Sequence, residues 1–138
     1  MDELIQYYRE YNHAHHEDYV TIYPYVEEML KYLKAQDGVL YSKDMKILYY
    51  YPAMKQNKKF TIPSTVTRVV RYAFANNNFL EQLNMGKNVK YVGTKAFSEC
   101  SRLKNITWKC KAQTIPAGCF EKCHSLKNIK LGDNVKNI

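Results

Sequence analysis

From Val66 onward, apolar residues return at a fixed interval of 23 positions. VTRVVRYAFANNNFLEQLNMGKN begins at Val66, VKYVGTKAFSECSRLKNITWKCK at Val89 and AQTIPAGCFEKCHSLKNIKLGDN at Ala112, and a fourth unit opens as VKNI. Aligned, they give the columns Val69, Val92, Ile115, Ile138; Ala73, Ala96, Cys119; Phe74, Phe97, Phe120; Asn77, Cys100, Cys123; Leu80, Leu103, Leu126; Leu83, Ile106, Ile129; and Met85, Trp108, Leu131. FTIPSTVTRV, from Phe60, matches LNMGKNVKYV, from Leu83, so a half unit precedes the first full one. A period of this length marks a repeat architecture in which each unit buries its apolar face only against its neighbours. The end of each unit, Leu-x-x-Leu-x-Met or Leu-x-x-Ile-x-Trp, alternates apolar and polar residues as a short strand does. A turn follows, marked by Pro63 or by Gly86, Gly132 and Asp133. The middle, GTKAFSEC or AGCFEKC, suits one or two helical turns with Ala and Phe facing inward. Each unit is thus one coil of a right-handed solenoid, with strands of successive coils about 4.8 Å apart.

Upstream, VLYS and KILYYY are β-type runs separated by Lys43 and Asp44, with Pro52 closing the second, which predicts a hairpin leading into the first coil. Before it, YPYVEEMLKYLKAQDG carries Val26, Leu30 and Leu33 at helical spacing, Pro24 near the start and Gly38 beyond the end. DELIQYYREYNHAHH, with Leu4, Tyr8 and Tyr11 on one side, is a second helical candidate. The expected fold is therefore α+β: a helical cap over residues 1–36, a β-hairpin lead-in over 37–65 and the repeats over 66–138.

Charge divides along the same line. Residues 1–38 hold three basic and eight acidic side chains, a net of −5; residues 39–138 hold eighteen basic and five acidic, a net of +13. The contrast implies either an intramolecular embrace or an anionic partner for the second part. No run approaches the roughly 18 apolar residues of a membrane span, and the start, MDELIQYYRE, is acidic where a secretory signal is basic and then apolar. That start leads to the expectation of a cytoplasmic protein.

Cys119, Cys123 and His124 look like half a metal site. Zinc needs about four converging ligands, normally as two close pairs. The columns point elsewhere: Cys123 is equivalent to Cys100 and Asn77, and Cys119 to Ala73 and Ala96, so small volume governs these positions. His124 shares its column with Ser101 and Asn78, an exposed turn. Cys100 and Cys123 are ladder neighbours within reach of a disulfide. His13, His15 and His16 divide between the faces of a helix. No phosphate loop, nucleophile constellation or carboxylate pair stands in the repeats, and no catalytic residue, metal or cofactor is expected.

The string V-x-x-I-x-x-x-A-F-x-x-C-x-x-L-x-x-I-x-L, over Phe60 to Ile138, resembles the leucine-rich repeat of the BspA-like family of surface proteins in anaerobic bacteria and protozoan parasites. DGVLYSKDMKILYYYPAMKQNKKFTIPSTV resembles the hairpin that opens such arrays. Asn77 and Cys119 depart from the family's usual Cys and Ala. The resemblance implies a curved solenoid at the cell surface, acting without catalysis in adhesion or in binding a host or cell-surface protein. On the concave sheet the outward positions are Thr61, Asn84, Thr107 and Lys130, one per coil, with Lys104 and Lys127 just before, and these are the expected partner-binding residues. The alternative is a basic surface for polyanions, nucleic acid or acidic glycans, although no RNA-binding signature is present. Ile138 falls in a strand with no polar closing coil after it, which leads to two alternative expectations, a chain cut from a longer protein or self-association through that end.

Overall fold

The computed structural model describes residues 33–138. Nine strands follow in chain order: β1 (Leu33–Gln36), β2 (Val39–Ser42), β3 (Ile47–Tyr50), β4 (Lys59–Thr61), β5 (Arg68–Val69), β6 (Gln82–Asn84), β7 (Tyr91–Val92), β8 (Asn105–Trp108) and β9 (Asn128–Leu131). They form a five-stranded sheet in the order β1-β2-β3-β5-β7 and a four-stranded sheet in the order β4-β6-β8-β9. From β4 to β8 the chain alternates between the two sheets, which makes it a β-solenoid; in the later coils the side opposite the four-stranded sheet is reduced to an isolated bridge between Thr114 and Asn137. Pairing within the four-stranded sheet is parallel throughout, and Phe60, Leu83, Ile106 and Ile129 stand side by side, as the columns require.

The lead-in is a meander rather than a lone hairpin. β2 and β3 pair antiparallel as expected, and the turn between them is closed at Asp44, whose carboxylate accepts from the Ser42 hydroxyl at 2.6 Å and the Lys46 amide at 3.1 Å. β1 adds antiparallel to β2, with Gln36 opposite Val39. This corrects the helix expected to run to Gly38, since its last stretch, Leu33 to Gln36, is extended. Gly38 closes a two-residue hairpin instead of a helix: Asp37 and Gly38 both take positive φ, 50° and 79°, the conformation that Asp-Gly favours between antiparallel strands. Leu4, Tyr8, Tyr11, Val26 and Leu30, on which the other helical expectations rest, lie outside the described residues.

A second correction concerns the middle of each unit. Among the described residues there is no helix, so the α+β assignment has no support there; residues 71–76, 94–99 and 117–122 are chained turns. Each segment carries left-handed residues four positions apart: Tyr72 and Asn76, Lys95 and Glu99, Gly118 and Lys122. A left-handed residue ends a right-handed helical turn. The amides between them are divided. Ala75, Ser98 and Glu121 bond three residues back within their own turn, whereas Phe74 and Phe97 donate to Ala96 and Cys119 of the next coil at 2.8 and 3.0 Å. Bonding between coils replaces bonding along a helix.

Between the sheets runs an aromatic stack. Tyr51 lies on Phe74 at 4.7 Å between centroids, Phe74 on Phe97 at 4.9 Å and Phe97 on Phe120 at 5.7 Å, while the Trp108 ring meets Phe97 and Phe120 edge-on. Tyr51 is thus the first rung, contributed by the lead-in. Its ring is fully buried and its hydroxyl has no hydrogen-bond partner among the described residues. Burial, with smaller contributions from Tyr41 and Cys100, pushes its pKa up to about 12. An unmet buried hydroxyl costs about 1–3 kcal/mol, and its removal leaves the stacked ring intact. Tyr51→Phe, which extends the phenylalanine column by one rung, is accordingly expected to stabilise the protein by about 1 kcal/mol; a lower midpoint in urea unfolding would contradict it.

Candidate functional site

The cysteines prove to be part of the scaffold. Cys100, Cys110 and Cys119 are buried, Cys123 is half-buried, and all four are free thiols, so the disulfide considered between Cys100 and Cys123 is not formed. The column they occupy has a shared task. Cys100 Sγ donates to the Phe74 carbonyl at 3.1 Å and Cys123 Sγ to the Phe97 carbonyl at 3.0 Å, each one coil back. At the equivalent place in the first unit, Asn77 does more. Its amide nitrogen donates to the carbonyls of Pro52 and Lys55, and its oxygen accepts from the amides of Phe79 and Leu80. A small side chain that can donate backwards is what the column requires, and thiol and carboxamide both meet that need. Burial, reinforced by Cys123, pushes the Cys100 thiol up to about 12, and burial raises Cys119, Cys110 and Cys123 as well. His124 stands exposed in a turn. Among the described residues no three His, Cys, Asp or Glu side chains gather as a metal site would need. A thiol is nucleophilic only as thiolate. Ellman's reagent at neutral pH is therefore expected to label native protein slowly and to count four thiols in denaturant; fewer than four under denaturing, non-reducing conditions would disprove a reduced core.

The four-stranded sheet presents the polar residues expected from the repeat. Thr61, Asn84, Thr107 and Lys130 lie directly side by side across β4, β6, β8 and β9. Their inward neighbours Leu83 and Ile106 are buried, so strand alternation turns the polar set outward. Thr107, Lys127 and Lys130 come together on the rim of one shallow depression of about 500 Å³, floored by β8 and β9. Thr61, Asn84 and Lys104 lie outside it. The amide of Asn84 donates to the Thr61 hydroxyl at 3.2 Å, which fixes the first two rungs to each other.

Charge is not spread evenly over this face. The Lys104 ammonium lies 3.6 Å from the Glu81 carboxylate one coil back, and Lys122 and Lys95 are paired similarly with Glu99 and Glu121. Lys127 and Lys130 have no carboxylate partner among the described residues. Lys59, exposed on β4, has none either, so the unneutralised charge of this face lies at its two ends. A second polar row, Lys59, Gln82, Asn105 and Asn128, runs beside the first, and its last three members line the same depression, with the Asn128 amide donating to Asn105 at 2.9 Å. Its members are absent from the sequence-based set, yet each stands two residues before a member of it, on the same face of its strand.

Coils of this kind, stacked in parallel with Phe60, Leu83, Ile106 and Ile129 in one column and a phenylalanine ladder behind, define a leucine-rich-repeat solenoid. Residues 47–138 match the BspA type leucine rich repeat region in six copies, and the chain belongs to that family. Solved structures agree on the fold. A leucine-rich repeat protein from Eubacterium ventriosum is 28% identical with a TM-score of 0.56, over 74% of this chain and 34% of that one. The pneumococcal vaccine antigen PcpA is 24% identical with a TM-score of 0.55, over 78% of this chain and 32% of that one. A leucine rich cell surface protein from Faecalibacterium prausnitzii is 23% identical with a TM-score of 0.50, over 73% and 40%. The chain therefore spans between about a third and two fifths of the length of these relatives. No curated protein matches it. Among the described residues no helix is long and apolar enough to cross a membrane.

Proposed function

We propose that the chain is a non-enzymatic recognition module of the adhesion or protein-binding kind, and that the outward face of β4, β6, β8 and β9 receives a protein partner. Repeat proteins of this family generally mediate protein interaction or adhesion, and the likeness in fold to a leucine rich cell surface protein favours a ligand of the host or of a cell surface. The observation that carries the reading is the register of Thr61, Asn84, Thr107 and Lys130. One side chain per coil, repeated at the strand spacing of about 4.8 Å, makes a rigid row whose order is fixed before any partner arrives, so little conformational entropy is lost on binding. Lys127 and Lys130 add unneutralised charge at one end, while Lys104, paired with Glu81, contributes mainly shape.

Pull-down with intact protein and with a variant carrying Asn84→Glu, Thr107→Glu and Lys130→Glu is the direct test. Partners retained by the parent are expected to be lost by the variant, with the circular dichroism spectrum unchanged; identical partners would remove this face from the assignment. Retention on heparin separates the polyanion reading. Weak retention that disappears at modest salt is expected, whereas tight binding that falls steeply with the logarithm of salt concentration would replace the protein-binding reading.

A further inference from the structure

The five-stranded sheet carries a second patch of a different character. Leu48, Val69 and Val92 point inward and are buried or nearly so, which turns Tyr49, Arg68 and Tyr91 outward from β3, β5 and β7. Arg68 and Tyr91 are direct partners across β5 and β7, and the Arg68 guanidinium carbon lies 5.3 Å from the centre of the Tyr91 ring. Just beyond β5 the arrangement is repeated: Arg71 lies 4.9 Å over Tyr72 and donates from Nη2 to the Tyr72 hydroxyl at 3.4 Å. Tyr91 is 61% exposed, Tyr72 44% and Tyr49 37%, so three of the largest side chains on this surface face solvent together with two arginines. Neither guanidinium has a carboxylate partner among the described residues, although three of the lysines do. β3, β5 and β7 contain no acidic residue.

From this geometry we infer a second interaction surface, centred on Arg68, Arg71, Tyr72 and Tyr91, that takes an acidic segment of a partner protein. It lies on a different sheet from the face proposed above and does not rest on that reading. Two physical points select the occupant. A guanidinium laid over a ring is held in place while its planar fork of N–H donors stays free, which suits carboxylates taken two donors at a time. A ring face already covered by a guanidinium does not also stack a base, and base stacking is what single-stranded nucleic acid needs from such rings. Tyrosine and arginine also supply much of the binding energy at protein interfaces, because large rigid side chains are desolvated there at small entropic cost.

The test is fluorescence anisotropy of the full chain with a short labelled peptide of alternating glutamate and tyrosine. Saturable binding is expected, weakened about tenfold or more in the double variant Arg68→Ala, Arg71→Ala. Lysine at both positions is expected to recover only a minor part of the loss, since an ammonium lacks the fork. Lys127→Ala with Lys130→Ala, on the other sheet, is expected to bind the peptide as the parent does. The inference is overturned if the parent does not bind the peptide, or if the alanine variant binds it equally well. It is also overturned if lysine restores full affinity, if the Lys127 and Lys130 variant loses the peptide, or if oligothymidylate or a heparin fragment binds these arginines more tightly than the peptide does.

Discussion

Phe97→Ala is expected to lower the free energy of unfolding by about 3–5 kcal/mol, the usual cost of deleting a fully buried aromatic ring. Phe97 is the middle rung of the stack and fully buried, with Phe74 on one side, Phe120 on the other and the edge of Trp108 across the coil. None of these neighbours can move into the space, because each is fixed by its own coil. Phe97 also sits where a solenoid is most sensitive. Repeat stability is a sum of coil stabilities and neighbour interfaces, so the lost ring weakens two interfaces at once and divides the stack into a half around Tyr51 and Phe74 and a half around Phe120. A lower denaturant midpoint together with a broader transition is the expected outcome in chemical unfolding followed by circular dichroism. Phe120→Ala, at a half-buried rung with fewer neighbours, is expected to cost clearly less. Equal losses at Phe97 and Phe120, or a loss below about 1 kcal/mol at Phe97, would contradict a continuous stack.

The stack could be read from the sequence because columns 23 residues apart are the same statement as side-by-side strands. Where the period holds, from Phe60 on, the pairing of the four-stranded sheet follows it throughout, while on the other side Val69 pairs with Val92 and Ile115 falls outside any strand. The period fails at the junction with the lead-in. Leu48 pairs with Val69, 21 positions on, whereas Tyr51 stacks on Phe74, 23 positions on. The lead-in strand is thus two residues out of period, the difference being absorbed between Val69 and Phe74, whereas Tyr51 stands one full period before Phe74 and continues its column. The turn segments depart from the expected helical turns for another reason. Lys95, Glu99 and Lys122 are ordinary helix formers, and nothing local marks them as left-handed. Only Gly118 and Asn76, in the same two columns, are residues that favour that conformation. Stacking overrides propensity: the amides that leave the helical pattern gain partners in the adjacent coil. Asp37-Gly38 shows the same competition, since the pair serves a helix end or a hairpin equally, and pairing with β2 decides.

The candidate faces differ in the same way. The row Thr61, Asn84, Thr107, Lys130 was legible because it follows from the column arithmetic and strand alternation alone. That Lys104 is neutralised while Lys127 is not was also written in the columns, since Glu81 stands one period before Lys104 and no acid stands one period before Lys127. The Arg68 and Tyr91 pair is exactly one period apart too, but it lies in β5 and β7, strands of only two residues whose alternation is too short to read. Arg71 and Tyr72 fall in a turn, where side-chain direction depends on the left-handed φ of Tyr72, 60°, rather than on any period.

Gly93→Ala is expected to destabilise by about 3 kcal/mol, at the upper end of the cost of overpacking, and the reason is space rather than conformation. Gly93 follows β7 and donates its amide to the Val69 carbonyl at 2.8 Å, which draws the chain onto the coil before it. A Cβ at this position would stand 2.3 Å from the Arg71 amide nitrogen, 2.7 Å from its Cα and 2.8 Å from the Val70 carbonyl carbon. All three are backbone atoms of a coil already held by its own bonds to β3, so relief requires the coils to part and the intercoil hydrogen bonds around them to lengthen. Gly118 supplies the internal comparison. Its φ is positive, 65°, but the column is occupied by Tyr72 and Lys95 in the same conformation, and the nearest atom to an added Cβ is Lys95 Cγ at 2.9 Å, on a partly exposed side chain held, among the described residues, only by its surface ion pair with Glu121. Gly118→Ala is therefore expected to cost only about 1 kcal/mol, the usual penalty for an L-residue in the left-handed region. Measured side by side in urea, the order Gly93 far above Gly118 follows from close coil approach; the reverse order would mean that backbone conformation, not spacing, limits these positions.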